Sequence, residues 1–389
     1  LRQGDRAMKK ILWKPTTVSW QIHVIIALVA IIGLAMVELF RVNVKQPHYE
    51  MKYNAARTMK RAMDVIKEHR QQEDLPPIDR KIDPTASGLI GIQTSPITSA
   101  PVDIAAKVAT LNPNWAAVVV QMLRESKVRT GSTVAVSFTG SFPALNCAVL
   151  AAGEAMKLRM IVITSVSSST WGANIPAFTW LDMERLLVQK NIIKSRSVAA
   201  SLGGVQDNAR GQSEEGRRLI REAIRRNGLP IIEREDLKAN IDSRMDLYYE
   251  RAGDKTIDAF INVGGGTVVI GSYIGKMRYK PGVNLRPSRK AMEIESVISR
   301  FARAGVPVIH LDSLLTIANQ YGLPYTLKAM PKVGVGEIFY RLEYNRLLVA
   351  GVLAVLVGLI LVLIKMGYGY RMFSRRQQDT RQRPPELMV

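Results

Sequence analysis

The sequence predicts an α/β fold: a mostly parallel sheet with helices on both faces, flanked by one N-terminal and one C-terminal transmembrane helix. Three observations predict it. From about residue 86, short apolar runs alternate with helical stretches, the pattern of strand–helix–strand units. Two long apolar segments stand near the ends of the chain. The loops after the apolar runs are rich in glycine and hydroxyl residues, as at the ligand-facing rim of a Rossmann-like domain. With 389 residues, 47% of them hydrophobic, there is ample material for a large core.

The elements follow in order. Residues 1–19 form a basic tail with Arg2, Arg6, Lys9, Lys10 and Lys14. Residues 20–40 contain "IHVIIALVAIIGLAMVELF", in which only His23 and Glu38 ionise, a length that crosses a bilayer as a helix. A signal peptide is the alternative, but the apolar core is long and no small-x-small cleavage site follows it. Residues 41–85 read as a stalk. Its helix, "YEMKYNAARTMKRAMDVIKEHRQQ" (49–72), places apolar residues at 51, 55, 59, 63 and 66 and a basic face opposite. Such a helix leaves the membrane or lies on anionic headgroups. "DLPPIDRKIDP" (74–84), with three prolines, reads as a linker.

The α/β domain is placed at 86–330. Strand-like runs fall at 88–92, 133–138, 159–164, 197–201, 230–232, 257–262 and 306–310. Helical stretches fall at 102–127 (with a break at Pro113), 143–157, 180–190, 213–227, 236–252, 290–304 and 313–320. Residues 331–346 form a juxtamembrane segment. Residues 347–364, "LLVAGVLAVLVGLILVLI", carry no charge and read as the second span. Residues 365–389 are a basic tail with Lys365, Arg371, Arg375, Arg376, Arg381 and Arg383.

Lys and Arg outnumber Asp and Glu by 54 to 33, a formal charge of +21. The segments 1–40 and 347–389 hold eleven basic and four acidic side chains, which leaves 43 against 29, or +14, on residues 41–346. The middle of the chain is basic in its own right and attracts polyanions: nucleic acid, acidic lipid or an acidic polymer. Eleven basic residues on the tails face nine on the inner flanks (Arg41, Lys45, Lys52, Arg57, Lys60, Lys328, Lys332, Arg341 and Arg346). That count places both tails in the cytoplasm and the large domain outside the cytoplasmic membrane. A start at Met8 instead of Leu1 removes two tail charges and ties it. Cys147, the single cysteine, excludes an intrachain disulfide and a cysteine zinc cluster. It reads as a small buried residue on the helix after Ser141.

Ligands of open parallel sheets gather at the carboxyl ends of the strands. There stand Thr139-Gly140-Ser141; "TSVSSSTWGAN" (164–174) with Ser167, Ser168, Ser169 and Thr170; "LGGVQDNARG" (202–211) with Gly203, Gly204 and Arg210; and "VGGGT" (263–267) with Gly264, Gly265, Gly266 and Thr267. Glycine lets backbone approach a ligand, hydroxyls donate, and helix starts offer N–H groups, so an oxyanion-binding rim is expected. Neither G-x-G-x-x-G nor the phosphate-loop motif occurs, and no resident metal or cofactor is expected. A nucleophilic Ser141 would need a His310–Asp312 relay, yet "TGSFP" lacks the second glycine of the nucleophile elbow. The competing reading is a buried His310 beside an N-capping Asp312. Asp182, Glu184 and Asp207 are candidate magnesium ligands without a paired-histidine motif to support them. Arg185, Arg196 and Arg210 are candidate carboxylate clamps or solvated surface. Trp171, Phe178 and Trp180 are a loop core or a pocket wall.

The runs "SFTGSFPALNCAVLAAGEAM", "SSSTWGANIPAFTWLDMERLL", "RSVAASLGGVQDNARGQSEEGRRLI" and "INVGGGTVVIGS", between two terminal apolar segments, resemble the bacterial poly-γ-glutamate system proteins. The resemblance covers most of the chain. It implies a membrane-anchored accessory protein of the synthesis or export of a polyanionic capsule-type polymer in the bacterial envelope. It also implies contact with the synthase complex and its polymer rather than with nucleic acid. It assigns no catalytic residue. An enzyme that processes the polymer through Ser141 or a carboxylate, and a purely structural subunit, stay open as alternatives, as does a homo-oligomer.

Overall fold

The computed structural model describes residues 20–366, and for residues 273, 276 and 363–366 the backbone alone. Residues 1–19 and 367–389, with half of the charges counted for topology, and the choice between Leu1 and Met8 lie outside the described residues. The chain divides into two compact units, one of residues 45–341 and one of the segments 1–44 and 342–389.

The first unit is built on a seven-stranded sheet: β1 Thr133–Thr139, β2 Arg159–Ser165, β3 Ser197–Ser201, β4 Ile231–Ile232, β5 Ile257–Val263, β6 Gly282–Asn284 and β7 Val308–Leu311. Its order is β6-β7-β5-β1-β2-β3-β4, and every pairing is parallel except β6 with β7. The mixed α/β expectation holds, and six of the seven expected strands form. β-branched and aromatic residues in β1 ("TVAVSFT") favour an extended chain, and all seven are buried, as a central parallel strand requires.

The expected strand at 88–92 does not form. Leu89 and Ile90 are buried, but the backbone is irregular there. The Arg70 guanidinium takes the carbonyls of Gly88 and Ile90 at 3.0 and 2.6 Å, and the Asn174 amide exchanges bonds with Ile92 at 3.0 and 2.7 Å. Side chains thus satisfy the backbone groups that a neighbouring strand would have taken. The seventh place is filled by β6, the antiparallel edge strand.

Helices α2 Tyr49–Gln72, α3 Trp115–Glu125, α4 Pro143–Ala155, α5 Trp180–Gln189 and α6 Glu214–Arg226 contribute to the hydrophobic cluster on one face of the sheet. Helices α7 Leu237–Ala252 and α8 Val297–Arg303 cover the other, while α9 Leu314–Gln320, which follows β7, packs into the first cluster. The stretch 102–127 breaks as expected, into Ile104–Ala109 and α3 around Pro113. The stretch 290–304 is also broken, because Ser296 caps a fresh start by accepting the Ser299 N–H.

The stalk is corrected. The stripe at 55, 59, 63 and 66 does exist, but Ala55, Ala56, Met59, Ala62, Met63 and Ile66 are buried in the core cluster with α3 and α4. A face that apolar has no reason to stay in water once a domain offers it a partner. The Pro-rich linker is likewise packed down: Asp83 is buried and accepts Thr85 Oγ1, Ser87 Oγ and Gly88 N at 2.8–3.0 Å. The domain therefore runs from Lys45 to Arg341, not from 86 to 330.

In the second unit, α1 Trp20–Leu39 is the one helix among the described residues that is long and apolar enough to cross a membrane, with a mean hydropathy of 2.6. The helix α10 Arg346–Met366 also forms, but its apolar part with described side chains, Arg346–Val362, is shorter than that criterion. One of the two expected spans is met by length and composition.

Candidate functional site

In this strand order β1 runs on to β2, β3 and β4 on one side, while β5 and β7 lie on the other. The topological switch point is the β1/β5 boundary, the place where open α/β sheets bind ligands outside the strand ends. Thr139 and Gly264 meet there: a Cβ on Gly264 (φ 77°) would sit 3.2 Å from Thr139 Cγ2. The four loops expected to form a rim do come together. Ser169 N–H donates to Ser141 Oγ (3.0 Å) and Ala173 N–H to Gly140 O (2.7 Å), joining the first two. Ser167 N–H donates to Leu202 O (2.9 Å), joining the third, and Gln206 N–H to Thr267 Oγ1 (2.9 Å), joining the fourth.

Much of this rim is satisfied internally. Ser167, Ser168 and Ser169 are buried, and Ser141 Oγ already holds the Ser169 N–H. Gly140 is required by close approach alone: a Cβ would stand 2.6 Å from Val166 O, while its φ is not in the left-handed region. Ser141, Thr170, Gly204, Gln206, Gly266 and Thr267 are half-exposed, and Gly265 and Arg210 are exposed. The loop after β3 is strained, with Gln206, Asp207 and Ala209 at φ 54, 65 and 51°. Such conformations cost about 1–3 kcal/mol each and cluster at functional sites.

Under the rim lies a polar network that the sequence did not reveal. Asp207, expected as a metal ligand, pairs with Arg244 of α7 at 2.9 Å, both fully buried. Arg244 also donates to Ser165 Oγ and Ser201 Oγ at 2.9 and 2.6 Å. Tyr248, one turn on, donates to Val136 O at 2.8 Å; burial pushes its phenol pKa up. In β1, β5 and β7 the register aligns Ser137, Asn262 and His310. Among the described residues Asn262 Oδ1 and Arg244 Nη1 are buried without a hydrogen-bond partner. Arginine on an otherwise ordinary polar helix carries no sequence signal of burial.

Lys107 was also missed. It lies 1% exposed beneath the first two loops, donating to Ser169 Oγ at 2.6 Å and to the Ser141 carbonyl, with its ammonium 3.9 Å above the Phe142 ring. Burial lowers its pKa to about 7. Carbonyl, hydroxyl and ring face together stabilise the charged form that burial opposes.

Among the described residues no hydrogen bond joins Ser141 to His310. His310 Nδ1 faces Asn262 Nδ2 at 2.9 Å, two strands from β1, and Ser141 Oγ is held by Ser169. Asp312 does not cap α9, whose N-cap is Ser313; Ser313 Oγ donates to Asp312 Oδ2 at 3.2 Å. Asp182 is structural: it completes the capping box of α5 and holds Arg226 and Asn227. Burial alone would raise its pKa, but Arg226, Asn227 and Thr179 outweigh that and hold it below the usual range.

Glu184 accepts Ser197 N–H and Oγ at 2.9 and 3.0 Å inside the core, its pKa pushed up to about 7 by burial. Among the described residues no three His, Cys, Asp or Glu side chains gather for a metal. Arg185, Arg196 and Arg210 each donate to a backbone carbonyl, of Arg226, Asn227 and Glu235 respectively. Trp180 and Phe178 are core, and Trp171 is half-buried on the wall of a cavity of about 140 Å³ with Ile92. Burial, then the neighbouring Glu184, pushes the Cys147 thiol up, so it is inert.

No family model, curated protein or solved structure matches the chain.

Proposed function

We propose that the chain is a membrane-anchored accessory protein of poly-γ-glutamate synthesis or export, whose basic α/β domain binds the carboxylate-rich polymer or a partner in the synthase complex. The observation that carries this reading is the convergence of four glycine- and hydroxyl-rich loops at the β1/β5 switch point, with Arg210 exposed beside them. The surplus of +14 on residues 41–346 supplies attraction to a polyanion. The resemblance of "SSSTWGANIPAFTWLDMERLL" and its companion runs supplies the identity of the polymer. In this reading residues 347–364 are a second span, both tails are cytoplasmic and the domain is extracytoplasmic.

The test is titration of the full chain in detergent with oligo-γ-glutamate at low and physiological salt. Affinity falls steeply with added salt, because exposed charge pairs are screened over roughly 8–10 Å, and Arg210→Ala weakens it. Absence of binding at low salt sinks the proposal. One observation favours an enzyme as the second reading: the Lys107 amine lies 2.6 Å from the Ser169 hydroxyl. Polymer shortening in the same samples, lost in Ser169→Ala, would move the assignment there.

A further inference from the structure

Away from the rim, a cleft of about 200 Å³ is lined by Gln46, Lys52, Gln121, Gln320, Tyr321 and Glu337. None of these residues belongs to the four strand-end loops. Lys52, in the first turn of α2, lines the cleft and is 1% exposed. Among the described residues its Nζ makes one hydrogen bond, to Ile338 O at 3.2 Å. An ammonium carries three donors, and buried donors left without acceptors are costly. Glu125 attracts the charge without bonding to it: its oxygens accept Gln121 Nε2 and Tyr321 OH, each at 2.9 Å. Burial therefore wins over the attraction of Glu125 and lowers the Lys52 pKa to about 8. A carboxylate entering the cleft would supply the missing partner.

The opposite charge stands on Glu337, which is exposed and packs its side chain against Gly322. A plain anion would meet Glu337, and a plain cation would meet Lys52. Amide groups of Gln46, Gln121 and Gln320, which both donate and accept, line the same cleft. The space is below the roughly 300–1,000 Å³ of pockets for drug-sized ligands, so the occupant is small. We propose that this cleft binds a small zwitterion of amino-acid type, its carboxylate toward Lys52 and its ammonium toward Glu337. The site stands apart from the polymer reading and does not depend on it.

Calorimetry on the full chain in detergent, with glycine, L-alanine and L-glutamate as probes and acetate and methylamine as single-charge controls, tests this. At least one amino acid binds about tenfold or more tighter than either control. Lys52→Met removes that binding; an apolar chain of similar length in a buried position keeps the fold. Glu337→Gln, at an exposed position, lowers amino-acid affinity about tenfold and leaves acetate unchanged. If Lys52→Met does not fold, Glu337→Gln decides alone. No amino-acid binding, acetate as tight as the amino acids, or an unaltered Glu337→Gln would overturn the proposal. Oligo-γ-glutamate binding, measured on the same variants, should be unaffected, so the two readings fail separately.

Discussion

Ser141 accepts a buried N–H at 3.0 Å, and Asp207 accepts four hydrogen bonds or more from Arg244, Ser165 and Ser201. Both were read as rim chemistry, and both now hold the rim in place. Ser141→Ala should lower stability by about 1–3 kcal/mol, the cost of orphaning a buried donor. Asp207→Ala should cost more, about 3–5 kcal/mol, because it leaves the Arg244 charge buried and unpaired. Denaturant midpoints of the two variants check the order; equal, small effects would return both residues to the ligand.

Buried ionisable groups also give stability a pH signature. Glu184 has a folded pKa of about 7 against an ordinary 4.5. The folded state binds more protons between those values, so this group makes stability fall as pH rises from 4.5 to 7. Lys107, lowered from 10.5 to about 7, does the reverse above neutrality. Glu184→Gln should therefore remove a loss of melting temperature between pH 5 and 7. An unchanged difference between wild type and variant across that range counts against a buried, protonated Glu184.

At the scale of elements, α2 is the instructive case. Its apolar period is compatible with a membrane-proximal stalk or a core helix, since a stripe records only that some partner exists. Packing with α3 and α4 makes it core. Met63→Ala should destabilise the domain by about 2–5 kcal/mol, the range for truncating a buried long side chain. A solvated stalk would show within about 0.5 kcal/mol, as surface substitutions do. Urea unfolding of the full chain distinguishes them. The sheet gains its depth similarly: β1 and β5 are buried along nearly their whole length, which requires helices on both faces.

At the scale of the whole molecule, two apolar helices flank the domain in sequence. Within their own unit α1 and α10 approach closely at Gly33, where a Cβ would stand 2.5 Å from Val352 Cγ1. A small residue such as glycine allows two helices to approach this closely. Arg41 stacks over the Tyr344 ring at 4.9 Å near the ends of both helices. For the proposed two-span topology, Gln71→Cys in a Cys147→Ser background reacts with a membrane-impermeant thiol reagent in intact cells. Where an outer membrane is present, it is first permeabilised. Gln382→Cys reacts only after lysis. Labelling of both in intact cells would mean one span, and labelling of Gln382→Cys alone before lysis would reverse the orientation.

Local chemistry was readable without coordinates. Strand runs rich in β-branched residues, capped helices and the α/β alternation follow from backbone sterics and periodicity, which act over a few residues. The four loops were legible for the same reason, since glycine and serine announce turns. Sequence could not say that the stripe of α2 belongs to the core, because burial depends on which partner arrives. Nor could it separate Arg244 from a surface arginine, or Lys52 and Lys107 from solvated lysines. Their isolation from water arises from segments far apart in the chain, Asp207 beside Arg244 and Ile338 beside Lys52. Desolvation is a property of three-dimensional enclosure, and only the tertiary structure decided it.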